Sequence, residues 1–246
     1  MGKLILILAC VVALYLVSEV VRFVMLMQRG SSVSESAKRF EQVIEHATRT
    51  FVVMGDSTAV GTGAGNPHES VAGRIGKDFP ESTVRNYGIN GLKAEGLVQE
   101  LKKLPEEKVA DVLIVQIGGN DILRFTELAK LRKDITEVLH EAALRADTVI
   151  VMSTGNVGSA PAFGMLTSKL YEWRTRQVRA LFIELTTKKE VSYVDLFIER
   201  KDDPFVADPK TYHSPDGLHP SGTGYGLWYE KLHEKLPQSD SVKEDK

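Results

Sequence analysis

Apolar positions divide the chain first. Residues 4–17 read LILILACVVALYLV without a charge, and after Ser18 and Glu19 the apolar character resumes as VVRFVMLM up to Met27. At ~1.5 Å rise per residue this 24-residue stretch makes a helix of ~36 Å, longer than the ~30 Å hydrocarbon core of a bilayer. No small-x-small cleavage site follows the first apolar run, which favours an uncleaved anchor within residues 1–30 over a removed signal peptide. Glu19 and Arg22, three apart, are placed to pair on one helix face. Residues 28–34 (QRGSSVS) read as a linker. Ala37, Phe40, Val43, Ile44 and Ala47 then recur at helical spacing, predicting a juxtamembrane helix within 31–48.

From residue 49 to 237 the pattern alternates. Apolar, β-branched runs at 50–54, 83–86, 111–117, 147–152 and 191–196 predict strands buried on both faces, as in a parallel sheet. Between them, helical spacing joins Val71, Ile75 and Phe79; Leu97, Val98, Leu101 and Leu104; Leu128, Leu131, Ile135, Val138 and Leu139; and Leu170, Trp173, Leu181 and Leu185. A last helix after Ser221 turns Tyr225, Trp228, Leu232 and Leu236 inward. Trp173 and Trp228 are read as core residues. Such alternation predicts an α/β fold with helices on both faces of an open sheet. The polar tail at 238–246 is expected to be disordered.

Ligands of open α/β sheets bind beyond the carboxyl ends of the strands, and there the polar blocks collect. Gly55-Asp56-Ser57 follows the first strand, Asn90-Gly91 the second, Gly118-Gly119-Asn120-Asp121 the third and STGNVGSAP the fourth. The loop 153–165 is expected to border a site. Ser57 needs a base before its hydroxyl is a nucleophile. Of the six histidines, His219 stands in SPDGLHPSG with Asp216 three residues earlier, close enough for the carboxylate to fix the imidazole tautomer. Acyl transfer also needs donors for an oxyanion. The Ser57 N–H, the Gly91 N–H and the Asn120 amide are the candidates.

Charge and composition narrow the classes. With 31 basic and 33 acidic residues interspersed and a net charge of −2, no polybasic stripe exists to track phosphates, so nucleic acid is not an expected partner. The single cysteine, Cys10, leaves the rest of the chain without a disulfide or a cysteine-ligated zinc site. GDSTAVGTGAG lacks the Gly-Lys-Ser/Thr ending of a P-loop.

The blocks GDS, NYGING, GGND and DGLH, in this order, resemble those of the SGNH hydrolases, the GDSL esterase/lipase family, over roughly residues 50–236. The resemblance implies a three-layer α/β/α sandwich with a five-stranded parallel sheet. It further implies Ser57 as nucleophile, His219 as base and then acid, Asp216 as orienter, and Ser57, Gly91 and Asn120 as oxyanion donors, with no cofactor or metal. Two departures stand out: Thr58 occupies the family's leucine position, and Gly88 in NYGING competes with Gly91. The function implied is hydrolysis of a small-molecule or lipid-like carboxylic ester or thioester. Acyl transfer by the same residues and a non-catalytic, membrane-tethered binding module are the alternatives. Lys and Arg flank the apolar segment without a clear bias, so the positive-inside rule does not choose a side; an extracytoplasmic catalytic domain is the expectation.

Overall fold

Five strands form where the apolar runs lie: β1 (Thr50–Gly55), β2 (Thr83–Asn86), β3 (Ala110–Gln116), β4 (Ala146–Met152) and β5 (Ser192–Val194). In this computed structural model, which describes residues 2–189 and 191–237, they pair in parallel in the order β2-β1-β3-β4-β5. The tail expected to be disordered lies outside the described residues.

Period-2 alternation gives the three central strands, β1, β3 and β4, two buried faces. Val52, Met54, Leu113, Val115 and Val151 pack with helices α4 (Ala94–Lys102), α6 (Leu128–Arg145) and α7 (Met165–Lys189). Phe51, Val53, Ile114, Ile150 and Met152 face the opposite layer, which includes α3 (Val71–Asp78) and α10 (Gly222–His233). Three layers result, with short helices α2 (Ser57–Val60), α5 (Gly119–Leu123), α8 (Pro204–Ala207) and α9 (Pro209–Tyr212) in the connections.

The N-terminal region departs from its sequence pattern. Helix α1 runs unbroken over Gly2–Ser36, so the expected linker at 28–34 is helical. Gly and Ser each cost a helix ~1 kcal/mol or less, no proline interrupts, and Asn90 Nδ2 donates to the Ser34 carbonyl in the last turn at 3.0 Å. The juxtamembrane helix is absent. Residues 37–49 are irregular, and Gln42 pairs antiparallel with Val84 through N–H···O bonds of 3.0 and 2.7 Å. That bridge covers the outer edge of β2. Phe40 is buried, but Val43 is exposed, so the helix-like spacing marked no buried face. Among the described residues, Gly2–Arg22 is the one segment long and apolar enough to cross a membrane, as an anchor or a signal sequence would be.

Helix α7 brings a second correction. Trp228 is buried, but Trp173 is 54% exposed and Leu170 46%; the first half of α7 buries polar Ser168, Arg174 and Thr175, and its apolar inward stripe follows with Val178, Leu181, Phe182 and Leu185.

Candidate active site

In this strand order the sheet reverses direction of growth between β1 and β3, the place where open α/β sheets leave a crevice. Ser57 follows β1 and Asn120 follows β3. At the end of β1, Gly55 has φ 146°, and a Cβ there would overlap the Gln116 carbonyl of β3. Only glycine allows so tight an exit. Asp56 then caps α2, its Oδ1 accepting from Thr58 N at 2.9 Å and Thr58 Oγ1 at 2.8 Å. The threonine that departs from the family pattern thus holds the residue before Ser57. Burial pushes the Asp56 carboxyl up to about 6, against the pull of the Thr58 hydrogen bonds and the His219 charge.

The base side is built by a loop folded on itself between α9 and α10. His213 bridges Pro220, Ser214 N donates to the His219 carbonyl at 2.9 Å, and Gly217 takes φ 72° at the turn. Inside it, Asp216 Oδ1 accepts from Ser214 Oγ (2.6 Å), Leu218 N (2.8 Å) and His219 N (3.0 Å), while Oδ2 lies 2.6 Å from His219 Nδ1. Burial alone would raise the Asp216 pKa. The bond and charge of His219, with Ser214 and Leu218, overcome it and hold the carboxyl well below the usual carboxylate range. An ionised Asp216 fixes the imidazole proton on Nδ1, leaving Nε2 to accept. Nε2 lies 2.9 Å from Ser57 Oγ, 162 positions away in the chain.

Asn120 and Gly91 line the same cavity as Ser57 and His219. Asp121 fastens the two blocks together, Oδ2 accepting from Ala94 N at 3.0 Å and Oδ1 from Thr126 Oγ1 at 2.8 Å. Burial raises its pKa despite both bonds. Of the competing glycines, Gly88 donates its N–H to Asn86 Oδ1 at 2.9 Å and packs on the backbone of Ala59 and Val60. Gly91 is the glycine of that block at the cavity.

The cavity holds about 580 Å³. Its walls include the apolar Val157, Phe163, Leu196, Ile198, Phe205 and Trp228, and the loop 153–165 borders it as expected. Sequence reasoning missed two contributors. Ser31 and Ser34 of α1 line its rim, for which the chain carried no signal. His213 lines it too; burial pushes its pKa down to about 4, its edge meets the Phe205 ring at 5.1 Å, and its Nδ1 has no hydrogen-bond partner. Its place six residues before His219 was the available clue. Among the described residues no three His, Cys, Asp or Glu side chains gather as metal ligands.

Comparison with known proteins agrees with this architecture. The uncharacterized protein YpmR of Bacillus subtilis is 23% identical over 90% of this chain and 95% of its own. A lipolytic protein of the G-D-S-L family from Veillonella parvula superposes with a TM-score of 0.62 at 17% identity, covering 75% of this chain and 96% of that one. The lipase/acylhydrolase from Enterococcus faecalis gives 0.57 at 22%, covering 78% and 100%. Residues 53–227 match the model of the GDSL-like lipase/acylhydrolase family, and the chain belongs to that family.

Proposed function

We propose that the chain is a serine hydrolase of carboxylic esters or thioesters that works through an acyl-enzyme on Ser57, with residues 49–237 as the hydrolase domain. His219 Nε2 takes the Ser57 proton as Oγ bonds the acyl carbon, and the Ser57 and Gly91 N–H groups and the Asn120 amide receive the negative oxygen. The tetrahedral centre collapses, the bond to the leaving group breaks, and His219 hands it the proton. Water then repeats the sequence: His219 removes its proton, hydroxyl adds to the acyl carbon, and Ser57 Oγ leaves with the proton from His219. Asp216 stays ionised and stabilises the imidazolium. The observation that carries this reading is the continuous chain Ser57 Oγ to His219 Nε2 (2.9 Å) and His219 Nδ1 to Asp216 Oδ2 (2.6 Å).

The apolar side chains in the cavity wall support a substrate with a hydrocarbon acyl group. Helix α1 is read as a retained anchor rather than a removed leader. Its support is structural: Tyr15, Glu19 and Ser34 each hydrogen-bond a residue beyond position 89. A fluorophosphonate probe tests the catalytic reading directly. Labelling of the wild-type protein, lost in Ser57→Ala, is expected. Equal labelling of both would refute it.

A further inference from the structure

The start of α7 is exposed where a helix of a soluble face would be polar. Met165 (66%), Leu166 (55%), Leu170 (46%) and Trp173 (54%) stand in solvent, and Phe125 (41%) joins them. Singly such residues are ordinary, but a contiguous apolar patch marks an interaction surface. Phe125 also has φ 48°, a left-handed conformation that costs a bulky residue energy and points to a function for its placement. Its ring packs at 5.6 Å on Tyr171, which packs at 4.4 Å on Phe163. Tyr171 and Phe163 line the cavity of Ser57. Met165 and Trp173 line a neighbouring hollow together with Phe163, so the patch reaches the wall of the Ser57 cavity.

The same edge touches α1. Leu166 N donates to Tyr15 Oη at 3.2 Å, Thr167 Oγ1 donates to Glu19 Oε2 at 2.7 Å, and a side chain on Gly164 would overlap the Glu19 carboxylate. Tyr15 and Glu19 lie within the apolar segment Gly2–Arg22, seven and three residues before its end, or ~10 and ~5 Å along the helix axis. With the span ending at Arg22 rather than at Met27, residues 164–167 sit ~5–10 Å beneath the membrane boundary, the depth at which interfacial apolar faces rest. Trp173 and Tyr15 are the residue types that belts at this level favour, and exposed Lys169 between Leu166 and Trp173 can extend its ammonium toward lipid phosphates.

The geometry points to a membrane-docking surface: Phe125, Met165, Leu166, Leu170 and Trp173 sit in the lipid interface beside α1, so that acyl chains enter the Ser57 cavity from the bilayer. This rests on the reading of α1 as an anchor and of the cavity as an ester site. The test uses the full chain with Trp228→Phe, which leaves Trp173 as the reporter, in phosphatidylcholine vesicles with and without phosphatidylglycerol. Phospholipids brominated near the headgroup end of the acyl chain are expected to quench about half the emission, because a ring ~5–10 Å into the boundary meets the bromines. Aqueous iodide is expected to quench little. Emission open to iodide and untouched by bromine overturns the proposal. So does failure of the protein to float with vesicles, and so does shielding from both quenchers, which would indicate a second copy on the patch. A double variant, Leu166→Asp with Leu170→Asp, is expected to keep wild-type turnover of p-nitrophenyl acetate while losing about tenfold on a long-chain ester in vesicles, the scale of ~1.4 kcal/mol. Equal loss on both esters overturns the docking role. A wild-type protein inert on p-nitrophenyl acetate would refute the ester reading alone, since quenching still decides docking.

Discussion

On the wall that carries the candidate triad, Asp216 alone takes four hydrogen bonds and every reactive atom is positioned through a capped turn or a tight loop. The outer rim, made by α1 and the start of α7, is joined by Tyr15 to Leu166, Glu19 to Thr167 and Ser34 to Asn90, and it leaves Met165, Leu166, Leu170 and Trp173 exposed. The first wall spends its burial on holding charge in one geometry. The second leaves apolar area uncovered. The contrast teaches that chemistry and access are separable here, and substitutions should separate them.

The largest effect is expected on the polar wall. Ser57→Ala or His219→Ala should lower turnover of p-nitrophenyl acetate by at least ~10³-fold, because the residual rate rests on binding and oxyanion donors alone. Wild-type rates in pure, folded variants would remove both residues from the mechanism. Asn120→Ala should cost ~10²-fold in kcat with little change in KM, as loss of one oxyanion donor does; a change confined to KM would make Asn120 a binding residue instead. Both losses should appear equally on dissolved and vesicle-borne esters, in contrast to the rim variant.

A smaller effect sharpens how the polar wall is held. Burial lifts Asp56 to about 6, so folding with this carboxyl ionised is unfavourable. Asp56→Asn keeps an oxygen to accept both Thr58 bonds and should raise the unfolding free energy by ~1–3 kcal/mol at pH 8. The cost in the wild type is complete above about pH 6 and fades toward the ordinary carboxyl pKa of ~4. The gain should therefore vanish near pH 4. Urea unfolding in detergent, followed by circular dichroism at the two pH values, measures it, and a gain independent of pH would sink the assignment.

The polar wall was legible in the sequence because strand ends and loops print their chemistry locally. Ser57, Asn120 and the Asp216-His219 step each sit in a short block, and the sheet rule says where those blocks meet. Spacing alone leaves Gly91 and Gly88 as rivals; Gly91 is favoured because the Asn86 side-chain oxygen Oδ1 occupies the Gly88 N–H. The rim was not legible. Helical spacing at 37–47 does not distinguish a helix from an edge-covering segment that also buries Phe40. Periodicity places Trp173 on a face without saying what covers it, and that face is open. The reach of α1 to Asn90 depends on tertiary contacts between distant positions, which no local pattern records.

The continuity of α1 through Ser36 has a mechanical consequence. A flexible leash would let the α/β domain sample a hemisphere of reach, but a rod joined at both ends of its lower half to the body it carries transmits its own tilt. If the rod is set in a bilayer, the opening stays at one fixed height. Its reach is then the nearest leaflet and nothing above it.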